Sequence, residues 1–120
     1  MNILICEDNI LMQRTIEFAL KKEGYTVYKA DDGFQGIRML NEEKIDLVIT
    51  DINMPYTKGL ELIRHVNTKM DPQIPVIVIT GITNEETRVH AMELGAAGYL
   101  TKPFDPRVLM DMVKSYSGKN

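Results

Sequence analysis

Cysteine is almost absent from this 120-residue sequence, and Cys6 is its only example. One cysteine cannot form an internal disulfide, and without a CxxC motif or a Cys/His cluster a structural zinc site has no support. Long apolar runs are absent too, since none approaches the roughly 20 residues that a membrane helix needs. The first run ends by Cys6 and meets Glu7 and Asp8 at once, unlike a signal peptide. We therefore expect a reduced, cytoplasmic protein without membrane insertion.

An excess of basic residues is also missing. The chain has 14 Lys and Arg against 17 Asp and Glu, a formal net charge of −3, whereas nucleic-acid binding rewards clustered positive charge. We therefore expect no direct binding of nucleic acid. The length suits one compact domain, and no linker or low-complexity segment divides the sequence. Residues 1–120 are accordingly interpreted as a single domain.

Short apolar runs alternate with stretches of helical length. Most runs are rich in Ile and Val and are bounded by polar residues, glycine or proline, a pattern typical of buried parallel strands. After the first run, Met12, Ile16, Ala19 and Leu20 place one apolar stripe on a helix. Five β-α repeats predict an α/β fold, with an open five-stranded parallel sheet and helices on both faces. The predicted strands are residues 3–6, 26–30, 47–50, 76–80 and 99–101.

Several helix boundaries are marked by particular residues. Gly24 and Gly95 are predicted to end two helices, since glycine readily adopts the left-handed conformation found there. Thr83 and Glu86 fit a capping box, in which each satisfies a backbone N–H at a helix start. Asp105, which is followed by proline, predicts the start of the last helix.

Polar side chains at the ends of four predicted strands form one set. Glu7 and Asp8 come after the first strand, Asp51 after the third, Thr80 ends the fourth, and Lys102 follows the fifth. In an open parallel sheet, ligands bind beyond the carboxyl ends of the strands. The sequence therefore predicts a site at one edge of the sheet that combines three carboxylates, a hydroxyl and an ammonium group.

The three carboxylates of this set predict a cation site. Packed together, they repel one another and resist ionising together. A hard divalent cation relieves that conflict, and Mg²⁺ prefers one or two carboxylates with water and phosphate oxygens. Asp51 could then act as a nucleophile and form an acyl phosphate. Phosphoryl transfer needs mainly positioning and positive charge around the phosphoryl oxygens, which the cation and Lys102 would supply, with a hydrogen bond from Thr80.

These polar residues, in this order along the chain and each at the end of a predicted strand, resemble the site residues of the response-regulator receiver domain. This is the CheY-like family of two-component signal transduction. The resemblance runs from Met1 to the fifth predicted helix and implies a flavodoxin-like (βα)5 fold with strand order 2-1-3-4-5. It implies that Glu7 and Asp8 bind Mg²⁺ (or Mn²⁺). Asp51 would be both a metal ligand and the phosphoacceptor, and the backbone carbonyl of Asn53 would be a further ligand.

The resemblance also implies a switch. Thr80 corresponds to the family's switch hydroxyl and Lys102 to the lysine that contacts the phosphoryl group. Tyr99 stands at the aromatic switch position. The peptide bond between Lys102 and Pro103 is expected to be cis. Ile82 and Asn53 flank the site. We expect these two residues to control the access of water to the phosphoryl group.

The implied function is phosphorelay signalling. A histidine kinase or a histidine phosphotransfer protein would donate a phosphoryl group to Asp51. The face formed by the fourth helix, fifth strand and fifth helix would then change its affinity for a downstream effector. Such a domain catalyses its own phosphorylation and dephosphorylation and is not an enzyme acting on an outside substrate.

Two features depart from the commonest family pattern. The acidic pair is Glu7-Asp8 where many members have two aspartates, a change that the site should tolerate because glutamate also offers oxygen ligands. Residues 95–99 lack the acidic residues that many DNA-binding members carry there. The salt-bridged dimer of those relatives is therefore less expected, while a phosphorylation-linked dimer stays open.

Other interpretations also stay open. An aspartyl-phosphate phosphohydrolase would want a second aspartate two residues after the nucleophile, where this chain has Asn53. A phosphorylation-independent scaffold is opposed by the complete acidic set, and flavin or nucleotide binding lacks a G-x-G-x-x-G motif. Taken alone, Glu7 and Asp8 could cap the first helix, and Tyr99 could serve packing only.

Overall fold

The structure, a computed structural model, describes residues 1–52, 59–69, 74–81 and 84–116. Three residues of the sequence-based predictions, Asn53, Ile82 and Thr83, lie outside the described residues. Strands and helices alternate along the described chain, as the sequence predicts. Their bounds are β1 (Asn2–Cys6), α1 (Ile10–Lys22), β2 (Thr26–Ala30), α2 (Gly33–Glu42), β3 (Leu47–Thr50), α3 (Gly59–Lys69), β4 (Val76–Thr80), α4 (Glu85–Glu93), β5 (Gly98–Thr101) and α5 (Pro106–Ser115).

The strands form one parallel sheet in the order β2-β1-β3-β4-β5. Cys6, the last residue of β1, pairs with Ala30 of β2 and with Thr50 of β3. Thr80, the last residue of β4, pairs with Thr101 of β5. The carboxyl ends of neighbouring strands therefore coincide, and whatever follows each strand meets at one edge. The predicted flavodoxin-like fold is confirmed.

Two apolar clusters cover the two faces of the sheet. Alternate residues of the central strands point to opposite faces, so Val48 and Val78 lie in one cluster while Ile49 and Ile77 lie in the other. The α2–α4 cluster includes buried residues of α2, α3 and α4, and the α1–α5 cluster includes those of α1 and α5. Because helices cover both faces of the sheet, the residues of the central strands are buried on both sides. These strands are therefore continuous apolar runs. Within the described residues, no helix has the length and apolarity to cross a membrane.

The helix ends follow the sequence signals with two corrections. Gly24 and Gly95 have φ values of 90° and 113°, and Asp105 caps α5 as predicted. The interpretation of Glu7 and Asp8 as caps of α1 is wrong, because the side chain of Asn9 accepts the bond from the Met12 N–H. Likewise α4 is capped by Asn84 and not by the predicted Thr83 box. In both places two polar residues stand side by side, and the backbone path selects between them.

A methyl group at Gly36 of α2 is expected to destabilise the fold. A Cβ there would lie 2.6 Å from Cys6 Sγ and 2.8 Å from Leu62 Cδ1, both fully buried side chains. Helix propensity favours alanine by about 1 kcal/mol, but overpacking costs about 1–3 kcal/mol. We therefore expect Gly36→Ala to lower the free energy of unfolding by up to about 2 kcal/mol in urea denaturation.

Two further variants test the cause of that loss. Asn41→Ala, at an exposed position of the same helix, should not destabilise. In a Cys6→Ala background the closest clash is gone, so Gly36→Ala should cost less than it does in the wild type. An equal cost in both backgrounds would show that the packing against Cys6 is not its cause.

Candidate functional site

The candidate site lies at the carboxyl edge of the sheet. Glu7 and Asp8 follow β1, Asp51 follows β3, Thr80 ends β4, and Lys102 follows β5. Backbone hydrogen bonds extend the sheet pairing into the site. The Asp51 N–H donates to the Cys6 carbonyl at 3.0 Å, and the Lys102 N–H donates to the Thr80 carbonyl at 2.7 Å. The sheet therefore brings together all five residues that the sequence predicts to gather.

Lys102 joins the two buried carboxylates. Its Nζ donates to Glu7 Oε1 at 2.6 Å and to Asp51 Oδ2 at 2.8 Å. Glu7 is fully buried and Asp51 is 6% exposed, whereas the Lys102 side chain is 22% exposed. Hydrogen bonds between ionised groups are shorter and stronger than neutral ones. One cation thus holds two carboxylates, one from the start of the chain and one from near its middle.

The pKa of Glu7 stays raised although Lys102 donates a hydrogen bond to its carboxylate. Burial raises the pKa of Glu7, the hydrogen bond from Lys102 opposes that rise, and the charge of Asp51 adds to it, giving a pKa of about 7. Burial alone would lower the pKa of Lys102, but its bonds to Asp51 and Glu7 raise it above its ordinary value. One lysine therefore leaves the negative charge of this edge only partly balanced.

The three carboxylates fit a small divalent cation. One oxygen from each of Glu7, Asp8 and Asp51 lies within 4.8 Å of the other two. Asp8 is exposed, so the cluster opens to solvent on its side. Glu7 Oε2 is buried and has no hydrogen-bond partner among the described residues, which is costly unless a cation or water satisfies it. Oxygen donors of this kind are those that Mg²⁺ prefers.

The residues predicted to form the switch lie on β4 and β5. Thr80 is fully buried at the end of β4. Tyr99 pairs with Val78 in the β4–β5 ladder, packs against the α2–α4 cluster and is partly buried. Burial raises the pKa of its hydroxyl. The peptide bond between Lys102 and Pro103 is cis, the isomer that the family resemblance implies.

Sequence reasoning missed one residue at this edge, Gln13. It is 5% exposed, and its Nε2 donates to the Glu7 carbonyl at 3.0 Å. A signal was present, because Gln13 lies three and seven residues before Ile16 and Leu20 on the buried stripe of α1. A polar side chain at such a position needs a buried partner.

The sequence pattern of the response regulator receiver domain matches residues 3–114. The chain belongs to this family, and is therefore a receiver domain of the two-component type, a class of signalling modules.

Solved structures agree with this assignment. A CheY-like receiver domain protein of Methanospirillum hungatei JF-1 is 31% identical, with a TM-score of 0.87 over 95% of this chain and 90% of that one. The receiver domain of the sensor histidine kinase PA1611 of Pseudomonas aeruginosa PAO1 has magnesium coordinated in its active site cleft. It is 28% identical, with a TM-score of 0.88 over 98% of both chains. The beryllofluoride-activated NtrC4 receiver domain, a dimer in solution, is 26% identical, with a TM-score of 0.88 over 96% of this chain and 94% of that one.

Proposed function

We propose that Asp51 accepts a phosphoryl group and that this reaction switches the protein between two states. The observation that carries the proposal is the position of Lys102, whose Nζ lies 2.8 Å from Asp51 Oδ2. A carboxylate nucleophile attacks phosphorus with one oxygen, and the product carries additional negative charge. The ammonium group is placed to balance that charge. The attacking oxygen joins phosphorus to form an acyl phosphate, and the bond from phosphorus to the donor breaks.

A divalent cation, Mg²⁺ (or Mn²⁺), is the cofactor that this donor set fits. Glu7, Asp8 and Asp51 would hold it, and the backbone carbonyl of Asn53 is the further ligand that we propose from the family pattern. When bound, the cation neutralises charge on the phosphoryl oxygens. The protein's own residues do the rest: Asp51 supplies the nucleophile, and Lys102 balances charge beside it. Ile82, with Asn53, is our candidate for limiting the access of water to the acyl phosphate.

Thr80 and Tyr99 carry the proposed response. Thr80 would turn its hydroxyl to donate to a phosphoryl oxygen, and the space that it leaves would let Tyr99 move toward β4. Tyr99 is partly buried against the α2–α4 cluster, so its movement would repack the α4-β5-α5 face. The change is a population shift between two packings, with the new charge-assisted hydrogen bonds favouring one of them.

The partners follow from this chemistry. A histidine kinase or a histidine phosphotransfer protein would supply the phosphoryl group, and a downstream effector would bind the α4-β5-α5 face. We propose that residues 1–120 act as one receiver domain in the cytoplasm and bind no nucleic acid directly. Autocatalytic transfer and hydrolysis would be its only reactions. A phosphorylation-linked dimer is a further proposed state, supported by the NtrC4 relative.

Beryllofluoride, a stable mimic of the phosphoryl group, tests the switch. With Mg²⁺ present it should shift the backbone amide resonances of Thr80, Tyr99 and the α4-β5-α5 face in ¹H–¹⁵N spectra. Asp51→Asn keeps the side chain's size but loses its charge, and should show none of these shifts. Equal shifts in the variant would remove Asp51 from the mechanism. A silent wild type would instead favour the phosphorylation-independent scaffold.

A further inference from the structure

Gln13 buries its side-chain amide beneath the acidic edge of the site. Its Nε2 lies 3.0 Å from the Glu7 carbonyl oxygen, 3.1 Å from Asp31 Oδ1 and 3.4 Å from the Ala30 carbonyl oxygen. Carbonyl and carboxylate oxygens only accept hydrogen bonds, so the amide must present its nitrogen to all three. One side chain on α1 thus links the loop after β1 to the loop after β2.

The Glu7 carbonyl belongs to the peptide group that joins Glu7 to Asp8. A peptide group is planar, so a bond to its oxygen restrains the rotation of the whole plane. That plane carries the Cα atoms of both residues. Gln13 therefore restrains the backbone from which the Glu7 and Asp8 side chains project.

The preceding peptide group, between Cys6 and Glu7, is held by other bonds. The Cys6 carbonyl accepts from the Asp51 N–H at 3.0 Å, and the Glu7 N–H donates to the Ala30 carbonyl at 3.1 Å. These bonds continue the sheet and do not involve a side chain. The peptide after Glu7 lies beyond the end of β1. The Gln13 side chain donates to its carbonyl in the place where a neighbouring strand would donate within the sheet.

We propose that Gln13 is a positioning residue for the cation site, acting through the Glu7-Asp8 peptide. The inference rests on the proposed function for the identity of the cation, Mg²⁺. Without the amide donor, the Glu7 carbonyl is buried without this partner and the peptide plane can turn to find another. The carboxylates of Glu7 and Asp8 then no longer converge as well on one point. Groups that orient metal ligands in this way typically change metal affinity about 10–100-fold when they are lost.

A purely structural role for Gln13 makes a different prediction. If the amide only satisfies buried carbonyl groups, its loss lowers the free energy of unfolding but leaves the Mg²⁺ affinity of the folded protein unchanged. The two roles are therefore separated by measuring Mg²⁺ binding and unfolding on the same variants.

Gln13→Met is the variant that tests the proposal, since methionine follows the same unbranched path and lacks the donor. Gln35→Met is the matched control. Gln35 is partly buried on α2, and its Oε1 accepts from the Asp31 N–H at 3.3 Å. Gln35 contacts the loop after β2, as Gln13 does, but has no hydrogen bond to the Glu7-Asp8 peptide among the described residues.

We expect the dissociation constant for Mg²⁺, measured by titration of backbone amide resonances, to rise about tenfold in Gln13→Met. In Gln35→Met it should stay within about twofold of the wild-type value, below the range for loss of an orienting group. Wild-type affinity in a folded Gln13→Met protein would overturn the proposal. An equal loss in both variants would also overturn it, because general loosening of the loops would then be the cause.

A measurement on the wild type does not depend on the folding of a variant. The side-chain amide resonances of Gln13 should shift during Mg²⁺ titration, while those of Gln35 should not. Unmoved Gln13 resonances alongside shifting Asp8 resonances would contradict the proposal. The two hypotheses can fail separately. If Mg²⁺ affinity depends on Gln13 but the wild type takes up no phosphoryl group, only the proposed function is contradicted. Absence of Mg²⁺ binding by the wild type would overturn both.

Discussion

Replacing Lys102 by alanine is expected to slow phosphoryl uptake by Asp51 by a factor of about 100 or more. The Lys102 ammonium group is 2.8 Å from the Asp51 carboxylate, the nucleophile that we propose, and also holds Glu7 at 2.6 Å. Removing one preorganised donor from a site of developing charge typically costs about 10²–10³ in rate. The substitution also removes the cation that opposes the raised pKa of Glu7, so less of the ionised form is available to bind metal at neutral pH.

The rate is measured as phosphoprotein formed with time from acetyl phosphate at saturating Mg²⁺. Lys22→Ala is the matched control, because Lys22 is an exposed lysine at the far end of α1 and its loss changes the net charge equally. The control should react at close to the wild-type rate. A Lys102→Ala rate within about threefold of wild type would contradict the role proposed for the ammonium group, since one lost donor should cost far more.

Replacing Glu7 by glutamine is expected to stabilise the metal-free protein at pH 8. The pKa of Glu7 is raised from 4.5 to about 7 in the folded state, chiefly by burial. Between those values the folded protein binds more protons than the unfolded chain, so its free energy of unfolding falls as pH rises. Glutamine does not titrate and can still accept the bond from Lys102. The gain over wild type should therefore reach at most about 3 kcal/mol at pH 8 and vanish near pH 4.

Urea denaturation across this pH range, with a chelator present, measures the effect. Glu86→Gln, at an exposed position of α4, should not reproduce the pH-dependent gain. Added Mg²⁺ should stabilise the wild type more than Glu7→Gln, because a ligand stabilises the form that binds it better. Two results would contradict this account: a variant less stable than the wild type at pH 8, or a difference in the free energy of unfolding that does not change with pH. Either would show that ionising the buried Glu7 carboxylate does not destabilise the folded protein.

Much of the fold is visible in the sequence because each central strand is buried on both faces. A strand such as Val76–Thr80 is an unbroken apolar run that ends at a polar or glycine neighbour, so its limits can be predicted almost to the residue. The site is visible for a related reason. Parallel strands deliver their carboxyl ends to one edge, and a polar residue at each end marks that edge without knowledge of the strand order. The order itself came from the family resemblance.

Other features depend on contacts that a linear pattern does not contain. Asn9 follows Asp8, and Asn84 follows Thr83; both members of each pair are good caps, and only the path of the chain chooses between them. The bond from Lys102 to Glu7 spans 95 residues, and nothing local indicates that one lysine holds two carboxylates. The sequence marks Gln13 as a polar residue on the buried stripe of α1. It does not identify its partner, the Glu7 carbonyl, because that contact depends on the path of the loop after β1.

The central claim, that Asp51 accepts a phosphoryl group with the help of Mg²⁺, is tested most directly by intact mass. Wild type and Asp51→Asn are incubated with acetyl phosphate, each with Mg²⁺ or with a chelator. We predict a gain of one phosphoryl group in the wild type with Mg²⁺, and none in the other three samples. An equal gain in Asp51→Asn, or a gain by the wild type that ignores Mg²⁺, would contradict the account.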